Sequence, residues 1–334
     1  MAKKYENMND RQNEEPETQK KKRSFNPFEF LYNREGKGVD KAELSVLDKP
    51  GIKNFFKLLW RKFNQIFAVN LLQVFGNFPV LFIFIGFAYT MVDATAPTHQ
   101  IYSALEAVSR FDNSPVVTTM LGVFGGQSAV SVPTMATYII FGLAALVLLT
   151  FGPVNVGTTY ILRNIVRGEP VFVWSDFWYA IKRNWKQALI FGVIDLAMIA
   201  MFVYDVMVYR YNVGTNIGMF MFVLCAGMAI FYYFMRMYIY PMMVTFDMSL
   251  LKLIKNGMLF AILGIKRNIM VLFGTIAVLI LEFVLVCFVP SVAIMLPFLI
   301  IFGLLSYMAI YGAYPKIKEI MIDPYYKEVS EAEQ

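Results

Sequence analysis

The chain has 334 residues, of which 58% are hydrophobic and 16% charged, against roughly 25% charged in an ordinary soluble domain. So few charges cannot cover a water-facing surface, so the composition excludes a pair of soluble domains and points to a lipid-facing protein. The formal net charge of +6 lies in short clusters between apolar runs, a topology signal and not a nucleic-acid-binding face.

Residues 1–50 read as a hydrophilic cytoplasmic head. Met1–Arg23 is polar throughout, so it lacks the apolar core of a signal peptide, and disorder is expected as far as Arg23. The cluster Lys20, Lys21, Lys22 and Arg23 suits a solvated tail or contact with anionic lipid.

Within residues 51–315 six apolar runs follow, at about 63–92, 135–152, 188–209, 217–240, 269–289 and 293–314. Each approaches the ~20 residues with which a helix crosses a ~30 Å hydrocarbon core. Lipid offers no partner to an open backbone group, and the runs lack the alternation of a barrel strand, so helices are expected. The fold class is therefore an all-α membrane protein with six transmembrane helices. If the head is cytoplasmic, the outer segments are the loop 93–134, the link 210–216 and the turn 290–292. Of the 30 Lys and Arg residues, these hold only Arg110 and Arg210. That bias places the N-terminus and the tail, 316–334, in the cytoplasm.

A weak repeat runs through the chain. Odd-numbered helices begin with a basic–Asn signature (Lys62-Phe63-Asn64, Lys182-Arg183-Asn184, Lys266-Arg267-Asn268). Even-numbered helices run into Gly152-Pro153, Tyr240-Pro241 and Tyr314-Pro315. Proline removes one backbone donor and redirects the chain. Three hairpins are expected, with Val154–Val166 and Met242–Leu259 lying as amphipathic helices at the cytoplasmic interface. Cys225 and Cys287 sit in apolar runs and read as buried thiols.

No phosphate-binding loop, metalloprotease helix, nucleophile elbow or Cys-x-x-Cys pair occurs, and the single histidine, His99, is in the external loop. No catalytic, cofactor-binding or metal residue is assigned, and the chain is not expected to be an enzyme. Polar residues inside the spans carry more information: Asp195, Asp205, Arg236 and Glu282. A charge at the bilayer centre costs about 2.5–3.5 kcal/mol on insertion scales, so such groups face the bundle interior and find partners. Asp195 and Glu282 read either as a proton- or cation-coupled path or as hydrogen bonders between helices. Asn70 and Pro79 lie in the first helix, and Pro79 frees the Phe75 carbonyl, so a kink is expected there, with Asn77 or water as its partner.

The richest polar stretch is cytoplasmic: Arg163, Arg167-Gly168-Glu169, Asp176 with Trp178, and Lys182. Ser175 or Asp176 suits a helix N-cap. A second surface holds Asp247, Lys255 and Asn256. Together they read as a docking face for a cytoplasmic partner or as anchors to the lipid interface. In the external loop, Val116–Val132 with Gly122, Gly125 and Gly126 is too broken to span and is expected to dip into the interface.

Several blocks, in order, resemble the YesL-like family of bacterial membrane proteins, a domain of unknown function. They are Asn70-Leu71-Leu72 with Pro79, Gly152-Pro153 with Tyr160, Leu162-Arg163, Ile165 to Glu169, Asp176-Phe177 and Asn184 to Ala188, then Tyr240-Pro241, Phe246-Asp247, Lys255-Asn256 and Ile322 to Tyr325. The chain departs from the family pattern in its long external loop and at Gln73 and Val74. The resemblance implies a bacterial plasma (inner) membrane protein of a family often associated with carbohydrate uptake, with no catalytic residues to carry over. The expected function is an accessory of an ABC-type carbohydrate importer, with transporter subunits and the bilayer as partners. The alternative is a secondary transporter using Asp195 and Glu282.

Overall fold

The computed structural model describes residues 51–112, 114–211 and 213–325. The head, 1–50, and the end of the tail lie outside the described residues. The chain is mostly helical. Helix α1 (Ile52–Arg61) leads into α2 (Phe63–Gly76) and α3 (Val80–Tyr89), which form one apolar unit bent by 53°. The bend falls at Pro79, as its missing donor requires. Asn77 Nδ2 caps the break, but by donating to the Gln73 carbonyl (3.0 Å) and not to Phe75.

The segment that follows α3 holds strands that its composition did not announce. β1 (Met91–Pro97) pairs antiparallel with β2 (Gln127–Pro133) in seven-residue register. Between them lie α4 (Tyr102–Ser109) and α5 (Pro115–Phe124). Of the segment expected to dip into the interface, the first part is thus α5 and the last part β2. The ladder is anchored at its base, where the Thr134 and Thr137 hydroxyls both donate to the Thr90 carbonyl (2.8 and 2.7 Å).

Next come α6 (Met135–Ala144), α7 (Val147–Arg167), α8 (Val173–Tyr211), α9 (Asn216–Thr245), α10 (Leu250–Leu263) and α11 (Ile265–Phe288). After the short α12 (Pro290–Ala293) a π-helical turn, Pro297–Ile301, opens α13 (Phe302–Ile317). Five stretches are long and apolar enough to cross a membrane: Met135–Arg167, Val173–Tyr211, Asn216–Thr245, Ile265–Phe288 and Pro290–Tyr325. A sixth is added when α2–α3 counts as one. Phe84, Phe87, Phe273, Phe283 and Phe288 stand exposed on the outer faces, an apolar surface suited to lipid.

Three expectations are corrected. Pro153, Pro241 and Pro315 do not end their helices but lie inside α7, α9 and α13. Neighbouring helices supply the packing that lets an internal proline persist in a membrane bundle. Val154–Val166 is consequently no interfacial helix: Val154, Val156, Ile161, Leu162, Ile165 and Val166 are all buried, and a helix buried all round is a core element. Met242–Leu259 divides between the end of α9 and α10. The run 188–209 is one part of the 39-residue α8, roughly 58 Å long at 1.5 Å per residue, so its first turns extend beyond any bilayer core.

The basic–Asn signature serves three different purposes. Asn64 is exposed, Asn184 bonds the Ala180 carbonyl one turn back (3.1 Å), and Asn268 is buried, accepting from Tyr238 (2.7 Å) and donating to the Ala261 carbonyl (3.0 Å). Neither cysteine is fully buried. Cys225 is half-buried and Cys287 exposed on α11, both as free thiols.

Two contacts set the bundle. A Cβ on Gly152 would run into the Ala188 carbonyl, and one on Gly192 into the Gly152 backbone, so α7 and α8 cross at glycine where only a bare backbone fits. Asn70, wholly buried, closes α2 onto the last span. Its Nδ2 donates to the Pro297 and Phe298 carbonyls (3.1 and 2.8 Å), and its Oδ1 accepts from the Gly303 amide (2.8 Å). The π-helical turn leaves backbone groups open there, and the Asn70 amide satisfies them.

Candidate intramembrane site

Asp195 on α8 is 0% exposed. Four hydrogen bonds reach its two oxygens. Arg236 Nε donates to Oδ1 and Oδ2 (3.0 and 2.8 Å), Tyr232 to Oδ1 (2.8 Å) and Tyr240 to Oδ2 (2.6 Å). The three donors stand at i, i+4 and i+8 on α9, one face of a helix. That spacing is the sequence signal that could have found Tyr232 and Tyr240. A buried carboxylate requires such a set of donors, because charge in low dielectric must be paired and hydrogen-bonded.

Arg236 is held by Nε alone. Its guanidinium lies over the rings of Phe151 and Tyr240 (5.7 and 5.2 Å). Both Nη groups are without a hydrogen-bond partner among the described residues, and the side chain keeps 28% of its surface accessible. That surface faces a cavity of about 550 Å³ between α2, α3, α7, α9, α11 and α13. No other residue lining the cavity carries a charge.

Polar groups from five helices join Arg236 in the wall: Gln73, Asn77, Asn155, Thr159, Tyr233, Thr275 and Ser306. Gln73 Nε2 donates to Ser306 (2.7 Å) and, longer, to Thr158 (3.5 Å), and the Tyr233 and Thr275 hydroxyls pair at 3.0 Å. Two acceptors are buried with no partner, Gln73 Oε1 and Asn77 Oδ1. The remaining wall is aromatic and aliphatic, including Phe78, Leu81, Phe84, Phe298 and Phe302. The site thus offers free donors on a fixed cation and an apolar lining, with two unpartnered acceptors buried beside them.

The other intramembrane candidates lie elsewhere. Neither Asp195, Asp205 nor Glu282 lines the cavity. Asp195 sits behind Arg236, Asp205 is half-buried towards the far end of α8, and Glu282 is half-buried on α11 with Oε2 unpartnered.

The polar stretches singled out as a docking face divide. Arg163 is not available to a partner. It is buried, donates to the Val244 carbonyl (2.7 Å) and twice to Asn164 Oδ1, and stacks on Tyr160 (4.5 Å). It fastens the end of α7 to the end of α9. Arg167 pairs with Glu169 (2.8 Å) beside Gly168, whose φ of 71° ends α7 in the left-handed region. Asp176 is not the N-cap itself; from the first turn of α8 its Oδ2 accepts the Phe172 amide (3.0 Å). Asn256 donates weakly to Met248 Sδ (3.6 Å). Trp178, Lys182, Asp247 and Lys255 are exposed, and Gln187 Nε2 donates to the Met248 carbonyl (2.9 Å), so the two polar segments meet.

Residues 134–206 match a family model described as a protein of unknown function, DUF624. That span covers α6, α7 and most of α8, and so contains the glycine crossing and Asp195. No curated protein matches the chain. No solved structure matches it either.

Proposed function

We propose that this is a six-span, non-enzymatic protein of the bacterial plasma membrane, YesL-like in kind, that binds a small molecule in the cavity at Arg236. In this reading α2 and α3 form one bent span and both termini are cytoplasmic. The observation that carries it is the pair of free Nη groups on Arg236, held in place by Asp195 and opening into a cavity of about 550 Å³. That size is within the range of small-molecule sites. A cation fixed by a carboxylate behind it is preorganised, so little is lost in ordering it when a ligand arrives. The pair acts as a binding floor, with no proton path through Asp195 and Glu282. The test is native mass spectrometry of protein purified in mild detergent. A bound species should be retained by the wild type and lost in Leu81→Trp, which fills the mouth without touching the ion pair. Equal retention in both would remove the cavity from consideration.

A second reading concerns the cytoplasmic end. The contact of Gln187 with Met248 joins the surfaces bearing Trp178, Lys182, Asp247 and Lys255 into one face. It supports the role of an accessory to an ABC-type carbohydrate importer. Affinity purification from native membranes should recover transporter subunits with the wild type and fewer with Lys182→Glu/Lys255→Glu; recovering none with the wild type counts against the role.

A further inference from the structure

We infer that the ligand of the cavity is a glycerophospholipid whose head group carries a hydrogen-bond donor, of the phosphoglycerol or phosphoethanolamine type, entering sideways from the bilayer. This rests on the cavity being a ligand site and names its occupant.

Three groups define the head. The Arg236 Nη donors need anionic oxygen, and the planar fork of a guanidinium matches phosphate. Gln73 Oε1 and Asn77 Oδ1 are acceptors only, and both are buried without a partner. Gln73 is itself only 9% exposed. Burial of such an oxygen is unfavourable until a donor reaches it. A phosphate bearing a hydroxyl or ammonium on its far side satisfies the cation and the acceptors together. A head without N–H or O–H, such as phosphocholine, satisfies the cation alone.

The walls define the body. Phe84 is 66% exposed, and Phe78, Leu81, Phe298 and Phe302 are each more than two-fifths exposed while lining the cavity. Side chains that line the cavity and stand on the lipid-facing surface mark its mouth as opening toward acyl chains. The 53° bend at Pro79 and the π-helical turn at Pro297 lie on the two helices that frame this mouth. Water-soluble phosphates would leave those aromatic walls uncovered.

The test is a titration of delipidated, detergent-solubilised full-length protein with defined lipids, read by native mass spectrometry and by thermal stability. Phosphatidylglycerol and phosphatidylethanolamine should bind about tenfold more tightly than phosphatidylcholine, the loss expected when charge-assisted or buried hydrogen bonds go unmade. Diacylglycerol should bind no better than phosphatidylcholine. Leu81→Trp should abolish the preference, and Asn77→Leu should narrow it while preserving phosphate binding. Equal affinity for all three phospholipids, with Leu81→Trp still displacing them, would overturn the head-group assignment but keep the cavity as a site. Glycerol 3-phosphate competing at the affinity of the lipid would overturn lateral entry and assign a soluble phosphate. Binding unaffected by Leu81→Trp would overturn both this inference and the reading beneath it.

Discussion

Removing Arg236 should hurt the protein more than removing the carboxylate it pairs with. In Arg236→Gln the Asp195 carboxylate, 0% exposed, loses its counter-charge and keeps only the Tyr232 and Tyr240 hydroxyls. Stranding one member of a buried ion pair costs about 3–5 kcal/mol. The two tyrosines hold the loss near the lower end, about 3 kcal/mol. In Asp195→Asn the charge left behind is on Arg236, which reaches the cavity with 28% of its side chain and can be hydrated there, so about 2 kcal/mol is expected. The double variant places two neutral amides in contact. It should lose about 2 kcal/mol, well short of the sum of the single changes. The assay is the free energy of unfolding in mixed micelles, measured as a double-mutant cycle. The reasoning is refuted if Arg236→Gln costs under about 1 kcal/mol, or if the two changes add to within about 0.5 kcal/mol.

Other outcomes follow from single contacts. Asn70→Leu removes the partners of two carbonyls and one amide in the last span and should cost about 3 kcal/mol in the same unfolding measurement. Gly152→Ala forces α7 away from the Ala188 carbonyl and should cost about 2 kcal/mol, with a matching loss of cross-linking between cysteines placed on the facing sides of α7 and α8. Arg163→Met should cost about 2 kcal/mol, because the Val244 carbonyl and Asn164 lose a charged donor, whereas Lys182→Met on the exposed face should stay within about 0.5 kcal/mol.

The apolar runs were legible because a span is a property of composition over ~20 residues, and no packing detail is needed to recognise it. The bend at Pro79 was legible for a similar reason, since a missing N–H acts locally. Pro153 and Pro241 follow the same local rule, yet there it failed, because neighbouring helices keep α7 and α9 continuous through them. The strands β1 and β2 went unseen because their pairing is between residues up to 42 apart (Met91 with Pro133), and nothing within either strand alternates strongly. Of the site, Asp195 and Arg236 stood out as charges in apolar surroundings. Their pairing depends on how α8 lies against α9, and no local pattern encodes that. Gln73, Asn77 and Ser306 are ordinary membrane residues until α2, the break that follows it and α13 bring them to one wall.

Asn70 also bears on the order of synthesis. It leaves the ribosome 227 residues ahead of the Pro297 carbonyl it will hold. Through the insertion of every intervening span, α2 carries a bare amide that has no final partner in the membrane. A chain cut short before Pro297 keeps that notch open, and a full-length chain closes it as the last span docks. The bond that seals the bundle is therefore also its completion mark.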